Sequence, residues 1–185
     1  MAKILINECF YITGRSGSIH EGLGSFLKSR SQVVTGISLS DDFLHKPFNE
    51  QLAAIQNDFS RIQQNSIPII ANSYGAYLLL NSMIGFPALQ TRVLIMSPII
   101  GTLVSELGYF KPPYASRVPT ALANGTLPKP ARLDICCGSL DNQCDLAALE
   151  TLAETLQADR YSILDGQGHM IEKHIVAEVV DEFLG

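Results

Sequence analysis

Ile67-Pro68-Ile69-Ile70-Ala71-Asn72-Ser73-Tyr74-Gly75-Ala76-Tyr77 is the stretch on which the reading of this chain turns. An apolar run of strand length ends at Asn72, and residues 74–84, apolar nearly all round, follow without a loop. A serine between small residues at such a junction sits in a sharp strand-to-helix turn that lifts its hydroxyl above the sheet. Gly75 lets the strand and helix pack closely there, and a helix N-terminus under Ser73 favours developing negative charge. Ser73 also has a plainer reading as a helix N-cap, a position that favours serine.

Outward from this turn, short β-rich runs alternate with helical patterns, the order of a parallel sheet with helices on its faces. Strands are expected at Lys3–Ile6 with a resumption to Ile12, Gln32–Ile37, Ile67–Ala71, Arg92–Met96, Arg132–Cys136 and Arg160–Leu164. They alternate little between apolar and polar residues, as strands buried on both faces do. Pro47 opens a helix whose stripe is Phe48, Leu52, Ile55, Phe59 and Ile62, with Asn65 as its stop. Gly85 and Pro87 end the helix after Ser73. Leu146, Leu149, Leu152, Ala153 and Leu156 form a third stripe; Ile171, Ile175, Val176, Val179, Val180, Phe183 and Leu184 form the last. Ile99–Pro130, with five prolines and no sustained period, is read as a small cap or loop insertion.

Two further loops carry chemistry. After the run at Arg132–Cys136 comes Gly138-Ser139-Leu140-Asp141-Asn142-Gln143, and after Arg160–Leu164 comes Asp165-Gly166-Gln167-Gly168-His169-Met170. Ser73, Asp141 and His169 each follow a strand, so all three fall at one edge of a parallel sheet, where open α/β sheets bind ligands. A serine hydroxyl needs a base within hydrogen-bond reach. His169 can take its proton and return it to a leaving group, while Asp141 orients the imidazole. Asp141 could instead serve a turn, and Asp145 nearby is the rival acid, better suited to cap the helix that follows. Among the other histidines, His45 and His174 read as solvated surface residues, and His20 follows a Gly-rich loop.

Ala71-Asn72-Ser73-Tyr74-Gly75 resembles the nucleophile elbow of α/β hydrolases, usually Gly-x-Ser-x-Gly, with Ala71 in place of the first glycine. The loops bearing Asp141 and His169 resemble that family's acid and histidine loops, so the resemblance spans the chain. It implies an α/β-hydrolase-like three-layer sandwich, with a mostly parallel sheet of about six strands and helices on both faces. The opening antiparallel hairpin and large lid of bigger members are missing. It also implies a serine hydrolase of the esterase or thioesterase kind, acting on a small-molecule acyl substrate through an acyl-enzyme at Ser73, with no metal or organic cofactor. Tyr74 would supply one oxyanion N–H. Ile12-Thr13-Gly14-Arg15-Ser16-Gly17-Ser18 is similar to the family's His-Gly-x-x-x-Ser stretch, with Thr13 for the histidine, which makes Arg15 the second donor. If the first strand stops at Ile6, Cys9 or Phe10 takes that place. An acyltransferase with the same triad and a non-catalytic ligand-binding protein on the same fold remain as alternatives. Ser73 in the elbow position disfavours a haloalkane-type enzyme, which needs a carboxylate there.

Bulk properties narrow the field. The 185 residues suit one domain, residues 1–185, and a hydrophobic share of 46% against 17% charged suits a substantial core. A net charge of −5, with 13 Lys and Arg in no dense run, argues against a nucleic-acid partner. Met-Ala-Lys-Ile-Leu-Ile-Asn-Glu is too short an apolar run for a secretory core, and no stretch reaches the roughly 18 apolar residues of a membrane span. A cytoplasmic protein with no membrane partner is expected. Cys9, Cys136, Cys137 and Cys144 form no Cys-x-x-Cys pair and no metal-like ladder; Cys136 and Cys137, inside an apolar run, read as small core residues, and Cys144, near the Asp141 loop, has no partner histidine in sequence.

Overall fold

The computed structural model describes residues 5–100 and 112–185. Six strands form one sheet: β1 (Ile6–Arg15), β2 (Ser31–Leu39), β3 (Ile69–Asn72), β4 (Arg92–Met96), β5 (Arg132–Gly138) and β6 (Arg160–Leu164). Their spatial order is β2-β1-β3-β4-β5-β6, and every neighbouring pair is parallel. The order reverses between β1 and β3. Such a switch point opens a crevice at the carboxyl ends of the strands, and Ser73 follows β3 directly into it.

Helices α1 (Leu23–Leu27) and α7 (Lys173–Leu184) cover one face, where Tyr11, Leu27, Ile70, Met96 and Phe183 pack together. Helices α3 (Phe48–Gln64), α4 (Tyr74–Met83), α5 (Arg117–Ala123) and α6 (Leu146–Thr155) cover the other, over a larger core that includes Ile12, Ile55, Leu78, Ile95 and Leu149. Helix α2 (Asp41–Leu44) joins β2 to α3 and is capped by the Ser40 hydroxyl, which accepts from Phe43 N–H. Every residue of α4 is buried, as its all-round apolar sequence requires. The stripe of α3 is buried at each of Leu52, Ile55, Phe59 and Ile62, and Asn65 caps its end. Asp145 caps α6, its carboxylate accepting from Ala148 N–H. Among the described residues no helix is long and apolar enough to cross a membrane.

Two expectations change. The first strand begins at Ile6 and does not stop there but runs to Arg15, with a register shift against β2 between Ile12 and Arg15, because Phe10–Ile12 pair with Ile69–Ala71 on one side while β2 pairs on the other; Lys3 lies outside the described residues. Polar Asn7 and Glu8 interrupt the apolar pattern without ending the strand, since the Glu8 carboxylate accepts from Thr35 Oγ1 and Arg61. The segment Ile99–Pro130 also contains a helix, α5, whose Val118, Ala121 and Leu122 are buried. Pro119 fits because it falls in the first turn, where an N–H has no intrahelical partner. Residues 101–111, with Tyr109 and Phe110, lie outside the described residues. The short helices α1 and α2 carry too few residues to show a period.

Glycine marks where backbones touch. A Cβ on Gly36, at φ 137°, would stand 1.9 Å from the Tyr11 carbonyl oxygen, inside the β1–β2 pairing. Gly125, at φ 65°, has nothing within 4 Å of the same position. Gly36→Ala should therefore cost more than about 4 kcal/mol or abolish folding, whereas Gly125→Ala should cost only about 1–2 kcal/mol. Urea denaturation of the two variants checks the contrast.

Candidate active site

The strand-to-helix junction is held by backbone contact. A Cβ on Gly75 would lie 2.2 Å from the Thr13 carbonyl oxygen and 2.7 Å from that of Ile12, so only glycine lets α4 start this close to β1. Ser73 is left at φ 54° and ψ −124°, a conformation that costs a non-glycine residue about 1–3 kcal/mol. It stands at the N-cap position but makes no capping hydrogen bond. Its Oγ lies 2.9 Å from His169 Nε2 instead. The N-cap reading of Ser73 thus fails on geometry: the hydroxyl that would cap α4 is turned toward the imidazole.

His169 Nδ1 is 3.0 Å from both Oδ1 and Oδ2 of Asp141. With the carboxylate accepting from Nδ1–H, Nε2 presents its lone pair to the serine hydroxyl. The Asp141 side chain is fully buried and that of His169 is 11% exposed. Burial alone would raise the Asp141 carboxyl. Hydrogen bonds from His169 and the Gln143 N–H, the His169 charge and the Cys137 thiol outweigh it and hold the group below the usual carboxylate range.

The two loops that carry this pair are sewn to each other. A Cβ on Gly138 would meet the Gln167 carbonyl oxygen at 2.1 Å, so β5 ends with its backbone against the histidine loop. Leu140 N–H donates to Gln167 O at 2.8 Å, and Gly166 N–H donates to Ser139 Oγ at 2.9 Å. The Gln167 side chain then ties the loop to α7, accepting from Glu172 N–H at 2.9 Å.

At the first loop, Arg15 ends β1 beside Gly14, whose Cβ position lies 3.3 Å from Ser73 Cβ. Cys9 and Phe10 are unsuited to the donor role, being buried in mid-strand, and Phe10 N–H is spent on the Pro68 carbonyl at 2.9 Å. Thr13 holds the loop: its Oγ1 donates to Gly14 O and accepts from Leu39 N–H, each at 2.9 Å. Tyr74 opens α4, and its hydroxyl is pushed up to about 12 by burial, which the nearby Arg15 charge offsets in part.

Some partners carried no sequence signal. Cys137 is buried, as a core residue is, yet its Sγ–H also donates to Asp141 Oδ2 at 3.3 Å. Asn72 Oδ1 accepts from the Tyr11 hydroxyl at 2.8 Å, bracing the residue before Ser73 from β1. The other histidines are exposed: His20 Nδ1 lies 3.0 Å from Lys28 Nζ, His174 Nδ1 lies 3.5 Å from Glu172, and His45 caps the end of α2. All four cysteines are free of disulfides, and no group of three or more His, Cys, Asp or Glu among the described residues could hold a metal.

No family model and no curated protein matches the chain by sequence. Solved structures do match by shape. Monoacylglycerol lipase of Paleococcus ferrophilus superposes with a TM-score of 0.71 at 13% identity, over 99% of this chain and 96% of its own. Esterase PE8 gives 0.63 at 13% identity, over 97% and 94%. A Xanthomonas campestris pv. campestris protein assigned to the α/β hydrolase superfamily gives 0.64 at 14% identity, over 96% of each chain. At such identities the likeness is one of architecture, and with the all-parallel sheet and helices on both faces it establishes that this chain has the α/β-hydrolase fold.

Proposed function

We propose that the protein is a serine hydrolase that cleaves a small carboxylic ester or thioester through an acyl-enzyme at Ser73. The observation that carries this reading is the unbroken line from Ser73 Oγ through His169 to Asp141, with bonds of 2.9 and 3.0 Å. His169 Nε2 accepts the serine proton as Oγ attacks the acyl carbon, then protonates the departing oxygen or sulfur. Asp141 stabilises the imidazolium without taking the proton. Water repeats the sequence in reverse and frees the acid. The oxyanion forms beside the N-terminus of α4, with the N–H groups of Tyr74 and Arg15 as donors. An ester-cleaving role is supported by the names of two structural neighbours, a lipase and an esterase.

A fluorophosphonate should form one adduct, on the peptide holding Ser73, and Ser73→Ala should lose both the adduct and the turnover of short p-nitrophenyl esters. A parent that stays unlabelled and inert refutes the proposal. Asp141→Asn should keep its fold but lower kcat by about 10⁴-fold, because the imidazole then holds the wrong tautomer.

Cys137 gives a finer check. Because its thiol is among the groups that lower Asp141, Cys137→Ala should move that carboxyl upward toward its ordinary range, while Cys137→Ser, which keeps a donor, should not. The lowered value contributes stability that is present above the ordinary carboxylate range and lost as pH falls through the folded value. Cys137→Ala should therefore lose its linked stability only on the neutral side of that window. A carbon-13 NMR titration of the Asp141 carboxyl, with urea melts at neutral and acid pH, reads both effects.

A further inference from the structure

A cleft of about 360 Å³ opens between α1 and the start of α7, within the range of small-molecule sites. Its walls are Leu23 and Phe26 of α1, Met96 at the end of β4, and Ile171 and Val176 beside and within α7. His169 and Asn72, the residue before Ser73, also line the cleft. Arg30, just beyond α1, forks onto Asp181 of α7, with Nη2 to Oδ2 at 2.9 Å, and the Arg30 guanidinium lies 4.5 Å over the Phe26 ring. Those contacts clamp the two helices together away from the sheet edge on which His169 sits.

We infer that this cleft receives the leaving group of the substrate, an apolar alcohol or thiol, and so sets preference on the leaving side; the inference rests on the hydrolase reading above. The acyl carbon bonded to Ser73 Oγ carries three other substituents: the oxyanion, the acyl chain and the leaving atom. The oxyanion faces the start of α4, which packs on the opposite face of the sheet from α1 and α7. The leaving atom faces His169 Nε2, since that nitrogen protonates it. Acylation forms the Ser73 Oγ–C bond as the C–O or C–S bond to the leaving group breaks, and the serine proton departs on that oxygen or sulfur by way of His169. The group behind the leaving atom is thus on the His169 side, where the cleft begins, and an apolar lining rewards an apolar occupant.

Two ester series test this: acetates of methanol, butanol and octanol, and ethyl esters of acetic, butyric and octanoic acids. For the parent, kcat/KM should rise with alcohol length by up to about fourfold per methylene until the cleft is full. Leu23→Trp and Val176→Trp fill the cleft from separate helices, so at least one folded variant is expected by circular dichroism. Each should cut the octyl-to-methyl ratio of kcat/KM by more than about tenfold, the scale of losing a few buried methylenes. The octanoate-to-acetate ratio of the ethyl esters should stay where it was. A fall in the acyl ratio in place of the alcohol ratio, or a parent indifferent to alcohol length, overturns the inference while leaving a labelled and active Ser73 intact. A parent that neither labels at Ser73 nor turns over any ester removes the hydrolase reading itself, and this inference with it.

Discussion

Two carbonyl groups of β1, those of Ile12 and Thr13, press on the α-carbon of Gly75, and much of the molecule follows from that contact. With no Cβ at Gly75, only Ser73 separates β3 from α4, and α4 packs against β1. The chain has no room for a relaxed loop between strand and helix, so Ser73 takes a positive φ and its hydroxyl leaves the capping direction. The burial of every α4 side chain sustains that backbone strain. The Ser73 conformation is in this sense a property of packing around Gly75.

A second contact of the same kind sets the other half of the site. Gly138 lets the end of β5 rest on the Gln167 backbone, which brings the acid loop and the histidine loop into one hydrogen-bonded unit. Asp141 and His169 are thereby carried on one hydrogen-bonded unit. Gln167 then hands the position of the loop to α7 through Glu172 N–H. Burying a carboxylate as deeply as Asp141 would be unfavourable alone, and its donors His169, Gln143 N–H and Cys137 are what keep it charged.

The two faces of the sheet divide the work. The larger core under α3–α6 supplies rigidity beneath the elbow, while the smaller core under α1 and α7 leaves a cleft beside the imidazole. An added Cβ at Gly125, by contrast, would touch nothing, so that glycine relieves only backbone strain.

The amino-acid order alone determined the alternation of strands and helices, the all-buried helix after Ser73, and the placing of Ser73, Asp141 and His169 just after strands, because apolar period, capping residues and Gly-rich turns act over a few neighbouring residues. Helix boundaries at Pro47, Asn65 and Asp145 were legible for the same reason. Tertiary structure decided the rest. Strand β1 continues past Asn7 and Glu8 because β3 and β2 flank it and Arg61 meets Glu8. Helix α5 holds within a proline-rich stretch because one side of it is buried. The Cys137–Asp141 bond, the Asn72–Tyr11 bond and the cleft between α1 and α7 join residues that local pattern cannot relate, since hydrogen bonds and apolar contact depend on distance in space and leave no period along the chain.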